Sequence, residues 1–309
     1  MTGVGSLRCV HTQRGDAILT MTAESAARPR RVAALTTLAL CAFAGNSLLC
    51  RLALSHTSID AASFTTMRIV AGAVTLLLIV VARRQVQRGG SWLSAAALFA
   101  YAAGFSFAYV RLTTGTGALL LFGAVQATMI TVGVLRGERL SALQAGGLLL
   151  AYAGLTNLVL PGLSAPPFVS AALMLAAGVA WGVYSLRGKG AGDPTLVTAG
   201  NFVRAVPMAL VVSVLMASHR SIDASGAAYA VASGAIASGV GYAIWYAALR
   251  DLRATTAATV QLSVPVIAAA GGVLLLHEPL SSRLLVSAAA ILGGVALVVL
   301  TRARRQVEA

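Results

Sequence analysis

The chain has 309 residues, 58% of them hydrophobic and only 10% charged, with a mean hydropathy of +0.84. A soluble domain carries about 25% charged residues, so a surface this poor in charge cannot be kept in water, and the solvent for most of the chain is lipid. The net charge of +14 does not point to nucleic acid, because the arginines punctuate the apolar stretches instead of gathering in one basic module with interleaved aromatics.

Taken in chain order, residues 1–31 are polar and arginine-containing and have no cleavage site after a short apolar core. They read as a disordered cytoplasmic tail and not as a signal peptide; Met21 offers a second start. Ten apolar stretches follow, near 32–54, 61–82, 92–111, 115–135, 142–160, 167–187, 195–217, 226–248, 255–276 and 284–301. Each is long enough to cross a bilayer as a helix of roughly 20 residues. The expected fold class is therefore all-α and integral to the membrane, with ten transmembrane helices. Cys9, Cys41 and Cys50 have no metal-ligand spacing, and the last two read as core residues of the first span.

The second half of the chain repeats the first. With Arg111 set on Arg250, Gln126 falls on Pro265; earlier in each half, in a register three residues shorter, Arg68 falls on Arg204. After a one-residue insertion, Gly137-Glu138-Arg139-Leu140-Ser141 falls on His277-Glu278-Pro279-Leu280-Ser281. With the N-terminus inside, Arg51, Arg111, Arg220 and Arg283 alone lie at outer segments, and Arg68 and Arg204 lie within spans. All the other basic residues are then inside, which places both termini in the cytoplasm. Five spans per half is an odd number, so the halves enter the membrane with opposite polarity, as two inverted five-helix repeats. Such repeats let a carrier rock about a site between them.

These residues carry a family pattern. Phe64-x-x-x-Arg68 and Asn201-x-x-Arg204 place an arginine in the second span of each half. Ala108-Tyr109-Val110-Arg111-Leu112-Thr113-Thr114 and Tyr246-Ala247-Ala248-Leu249-Arg250 form the short turns before the fourth and ninth spans. Gly137-Glu138-Arg139-Leu140-Ser141 is followed by Gln144 and Gly146, and His277-Glu278-Pro279-Leu280 by Gly293-Gly294. The chain resembles the drug/metabolite transporter superfamily, in particular proteins with two EamA repeats, here 32–160 and 167–301, with a cytoplasmic tail at 302–309. The resemblance implies an inner-membrane secondary transporter of ten helices. The family often carries proline midway in the fourth and ninth spans; Pro265 keeps it and Gln126 replaces it in the first half.

Arg68 and Arg204 are the sharpest site candidates. A cation in hydrocarbon must face a cavity, find a partner or snorkel. Arg68 lies about eight residues, or ~12 Å, from the outer end of its span. Asp60, at the start of that helix, is one partner for it. Recognition of a substrate carboxylate competes with snorkelling or helix capping. Polar and aromatic residues deep in the spans are the remaining candidates for a substrate site: Asn46, Gln126, Trp181, Tyr184, Asn201, Tyr242, Trp245, Gln261 and Ser263. Interhelical hydrogen bonding is the structural alternative for each. Pro265 is a hinge candidate beside Gln261. Glu138 and Glu278 are candidates for a gate or for N-caps of the following spans. Gly234-x-x-x-Ser238 and Gly146, Gly147, Gly293 and Gly294 read as packing surfaces, and Trp92 as an interfacial anchor.

All nine acidic residues fall in tails, turns or span ends, which weakens the case for tight ion coupling. The sequence lacks H-E-x-x-H, G-x-S-x-G and Walker A patterns, so an enzyme or ATP-driven pump is not indicated, and no cofactor or metal is expected. The expected function is secondary transport of a small organic metabolite or drug by alternating access, with efflux favoured by the resemblance. The alternative is a non-transporting membrane protein such as a lipid-handling enzyme or sensor. Convergence of Gln126, Trp181, Tyr242 and Gln261 on one central cavity favours transport, and their scatter between helices disfavours it. The expected partners are a small-molecule substrate and the lipid bilayer, with a homodimer left open.

Overall fold

The structure is a computed structural model and describes residues 8–84, 89–162, 165–252 and 254–308. It contains ten helices long and apolar enough to cross a membrane. They are α1 (Arg8–His56), α2 (Ala61–Ala82), α3 (Trp92–Tyr109), α4 (Thr114–Leu135) and α5 (Ala142–Val159). The second half supplies α6 (Phe168–Gly188), α7 (Pro194–Leu215), α8 (Ala224–Leu249), α9 (Thr256–Leu276) and α10 (Ser282–Glu308). The stretch 8–31, expected as a disordered tail, continues α1 as helix, in keeping with its alanine, leucine, methionine and glutamate content. Residues 1–7 of that tail lie outside the described residues.

Caps start the helices where polar side chains stand ahead of apolar runs. The Asp60 carboxylate accepts from Ala62 and Ser63 N–H at the head of α2, and Asp193 accepts from Leu196 N–H at the head of α7. Ser141 and Gln144 form a capping box on α5. The turns that follow α4 and α9 share one geometry: Gly137 and His277 both take positive φ, and the next residue, Glu138 or Glu278, returns its N–H to Gly133 or Gly272. Glycine is the favoured residue at such a left-handed helix end. His277 holds it at a cost of about 1 kcal/mol.

The packing follows the duplication. α5 lies along α10, α2 along α7, and α4 against α9, each a helix against its repeat-mate. The most extensive of the remaining contacts come in matched pairs: α3 with α6 and α8 with α1, α4 with α6 and α9 with α1, α2 with α8 and α7 with α3. The arrangement is compatible with an inverted repeat. In lipid no hydrophobic effect drives helices together, so close backbone approach and interhelical hydrogen bonds do. A Cβ on Gly147 would meet Gly294 O, and one on Gly294 would meet Gly147 O, so these two glycines set the α5–α10 contact. Asn157 donates to Ser287 across it at 2.9 Å. Gly146 and Gly293, expected in the same role, have nothing within 4 Å of a built Cβ and face away from the contact. Each adjoins the packed glycine, and helical spacing turns it roughly 100° off the contact.

Two local departures shape the interior. The middle of α8, Ser233–Val240, winds as a π-helix. Gly234 lies so close to α2 that an added Cβ would clash with the Arg68 carbonyl, and Gly239 rests on Thr75. A widened π turn of this kind often accompanies a functional site. In α9, Pro265 has no N–H to donate and its ring crowds the carbonyl of Gln261. The chain accordingly separates into helices Ala254–Gln261 and Ser263–Leu276 about Leu262. Its repeat-mate α4, with Gln126 at that position, runs unbroken.

A ring cluster around a buried arginine

Arg68 is 2% exposed, at the middle of the bundle. Its Nη2 donates to the Tyr101 hydroxyl at 3.4 Å, and its guanidinium carbon lies 4.8 Å from the Phe105 ring centre and 5.5 Å from that of Tyr101. Nη1 has no hydrogen-bond partner. Asp60 is not its counter-ion: that carboxylate caps α2 and accepts from Ser221 N–H at 3.0 Å. Helical spacing explains this, since a residue eight positions away lies more than two turns along the helix. Among the described residues no carboxylate pairs with Arg68. Burying an unpaired cation costs several kcal/mol, and two ring contacts return about 0.5–2 kcal/mol each.

The neighbours are drawn from both halves. Asn46 of α1 donates to the Tyr101 hydroxyl at 3.4 Å and accepts from Ser233 in the π segment at 2.6 Å. Tyr101 packs on Trp181 of α6 with centroids 4.7 Å apart. Trp181 stacks on Tyr242 of α8 at 5.5 Å and on Tyr184 at 5.1 Å. Tyr242 continues to Tyr246, whose hydroxyl shares a 2.8 Å hydrogen bond with Thr198 of α7. Asn201 donates to the Tyr184 hydroxyl at 3.4 Å and accepts from Ser91 N–H at 2.9 Å. The rings thus form a continuous path from Arg68 to Tyr246.

Tyr246 lines a cavity of about 280 Å³ together with Arg83, Pro194, Thr195, Ala243, Ala247, Leu249 and Arg250. It opens at the end of the bundle where α2, α6 and α8 finish. A larger apolar groove of about 540 Å³ runs along α8 from Ala224 to Ile236, without charged side chains, and is separate from the ring path.

The opposite end is tied shut. Glu278 pairs with Arg51 of α1 at 3.1 Å and accepts from Thr114 N–H, at the head of α4, at 2.7 Å. Arg51 also donates to the Tyr109 and Val110 carbonyls at the end of α3. Asp60 exchanges hydrogen bonds with Ser221, and Asp223 accepts from Ser58. Partial burial pushes the Asp60 carboxyl up, but hydrogen bonds from Ser63, Ser221 and Ala62 outweigh it and hold the group below its ordinary value. Asp223 is likewise lowered, first by the Gly226 N–H it accepts.

The other candidates divide. Arg204 is half-buried and donates at 2.8 Å to the carbonyls of Gly89 and Gly200, so it fastens the α2–α3 connection to α7. Gln126 is buried on α4 and joined to the ring cluster by no hydrogen bond. Trp245 belongs to a second core with Ala39, Val264 and Ala268, and touches the ring cluster through Phe43. Gln261 and Ser263 flank the break in α9, where Ser263 donates to Val260 O at 2.6 Å. Neither glutamate caps the helix that follows it: Ser141 and Ser281 accept the first N–H groups of α5 and α10 instead. Their hydroxyls stand at the cap position, and the glutamates lie three residues earlier. Glu278 caps α4 of the other half, and Glu138 folds over Gly133. Trp181 and Tyr242 meet, but as packed rings that line neither cavity, and Gln261 lies at the break in α9, so the expected convergence of the four on a central cavity is not found among the described residues. Tyr101, Phe105, Ser233 and Tyr246 are additions. The i, i+4 spacing of Tyr101 and Phe105 puts both rings on one face of α3, a signal open to sequence reading.

The EamA-like transporter family model matches residues 169–300. An uncharacterized protein of Pseudomonas aeruginosa is 54% identical over 278 residues, covering 89% of this chain and 97% of its own length. The chain belongs to the EamA-like transporter family. A crystal structure 21% identical to the EamA chain aligns with a TM-score of 0.61 over 87% of this chain and 97% of its own, which shows the fold alone. The ten apolar helices and the family together make it a multi-pass membrane protein of the drug/metabolite transporter type.

Proposed function

We propose that the chain is a secondary carrier of the inner membrane that moves a small organic metabolite or drug by alternating access, without ATP and predominantly outward. The observation that carries this reading is Arg68: a buried guanidinium with a free Nη1, at a cluster built from α1, α2, α3, α6 and α8 of both halves. A cation left uncompensated in a packed interior marks a solute path more often than a structural brace. The ring path leads from it to the cavity at Arg83 and Arg250, while the Arg51–Glu278 pair closes the other end. The loop charges place the cavity end in the cytoplasm, so the closed end faces outward and Glu278 acts as the outer gate. Chemistry on a substrate is no part of this reading.

Orientation is tested by reporter fusions. Fusions after Arg88 and Ser141 read cytoplasmic and one at Ser164 reads periplasmic; the reverse pattern overturns the assignment. Transport is tested by reconstituting purified protein in liposomes. Labelled amino acids, organic anions and organic cations are offered with and without a pH gradient. Counterflow of one class supports the carrier. A flat response across the panel from folded protein removes the support for it.

A further inference from the structure

We infer that the solute is a small monovalent organic anion, of the carboxylate class, with a planar apolar body, seated with its charge on Arg68 and its body against Trp181 and Tyr242. This rests on the carrier reading and narrows its substrate.

The first argument is charge balance. Arg68 brings one positive charge into a site where no described carboxylate pairs with it, and Nη1 still has a donor to give. One monoanion neutralises that charge, while a dianion would leave a buried negative charge unmatched. The repeat-mate Arg204 shows what a bracing arginine does in this fold: it is half-buried and finds two carbonyls. Arg68 has neither a carbonyl nor a carboxylate, only the Tyr101 hydroxyl and ring faces.

The second argument is what the site refuses. An amino acid would bring an ammonium group, which needs an anionic or carbonyl partner. Asn46 already accepts from Ser233 with its oxygen and donates its amide to Tyr101, and no carboxylate among the described residues pairs with the cluster's arginine. Ring faces can hold a cation, but Tyr101 and Phe105 already hold the Arg68 guanidinium, and a second cation beside it is repelled. The third argument is shape. Trp181 and Tyr242 lie nearly parallel, at 18°, with centroids 5.5 Å apart; a flat body can stack on either ring when the pair parts. At the cavity mouth Asp193 pairs with Arg250 at 3.8 Å, and Arg83, which donates to Thr195, leaves a net positive charge that favours entry of anions from that side.

The test uses four probes that share a benzene ring and differ in charge: benzoate, phthalate, phenylalanine and benzylamine. Binding to the purified full chain is read from tryptophan fluorescence, with Trp181→Phe identifying the reporter, and from the shift in melting temperature. Benzoate is expected to bind at least about tenfold tighter than each of the others: benzylamine lacks the charged hydrogen bond to Arg68, while phthalate and phenylalanine bury a second charge that the site does not match. Arg68→Gln abolishes the preference, and Arg68→Lys keeps part of it. Equal or tighter binding of phenylalanine, benzylamine or phthalate overturns the inference, as does absence of benzoate binding. The wild-type ranking needs no variant, so a misfolded Arg68→Gln protein leaves the test intact. Counterflow of the same probes in liposomes separates the two claims. Counterflow of phenylalanine without benzoate leaves a carrier and removes the anion; a flat response from folded protein removes both.

Discussion

Arg68 and Arg204 stand at matching positions of two repeats and do different work. Arg204 reaches two backbone carbonyls near its helix end and ties a connection to the bundle. Arg68 lies among rings with one donor free. The backbone repeat places both side chains in helices; the local partners decide whether the charge is consumed or kept available. The same divergence runs through the rest of the repeat. Glu278 is tied to Arg51 and the head of α4. Arg187, which precedes Arg204 by the 17 residues that separate Arg51 from Arg68, turns instead to Ser94 at 3.2 Å. One end is pinned by the cross-half Arg51–Glu278 pair; the other holds the cavity, with Arg250 paired to Asp193 at its rim and the halves joined by hydrogen bonds such as Arg83 to Thr195.

The largest effect expected from breaking this comparison is that of Arg68→Gln. It should abolish transport while the amount of folded protein and its melting temperature hold or rise, since an unpaired buried charge is removed. Arg204→Gln should do the reverse: two carbonyls lose their donor, stability falls by about 1–3 kcal/mol, and the ranking of substrates is unchanged in binding assays. Gly234→Ala puts a methyl group against the Arg68 carbonyl. It should destabilise by about 1–3 kcal/mol through overpacking and weaken transport with it, as read by thermal unfolding alongside counterflow. Glu278→Gln should loosen the closed end, raising labelling of a cysteine placed at the buried Leu112 while leaving binding intact.

The smallest expected effect is acid sensitivity of the tie between the α1–α2 and α7–α8 connections. Asp60 and Asp223 are both held below their ordinary value of 3.8. A lowered carboxylate contributes stability above its unfolded pKa and loses it as the pH falls through the folded one. Protection of the Ser58 and Ser221 amides, measured against their intrinsic exchange rates, should therefore hold at neutral pH and fall only below about pH 3.8. Loss of protection near pH 6 would assign the tie to other groups.

Much of the fold was legible because lipid imposes a simple rule: a span is apolar and about 20 residues long. All ten spans lie close to their expected bounds, and the proline reasoning located the break at Gln261. The site was legible in its charges and rings. Arg68, Asn46, Trp181, Tyr184, Asn201 and Tyr242 were visible as polar or aromatic residues in apolar helices. Periodicity alone could not say which of them meet. Gln126 looks as promising in sequence as Trp181, and it is buried on α4, which packs on Gly178 and Gly182 of α6, but no hydrogen bond among the described residues joins it to the rings. The π segment of α8 left no compositional mark beyond its glycines. Glu278 was legible as a gate candidate but its partners were not, because Arg51 and Thr114 come from the other half.

The most direct measurement is benzoate counterflow in proteoliposomes carrying the wild-type chain, Arg68→Gln or Arg204→Gln, normalised to folded protein. The account predicts counterflow from the wild type and Arg204→Gln and none from Arg68→Gln. Equal counterflow from Arg68→Gln and wild type, or loss confined to Arg204→Gln, would contradict it.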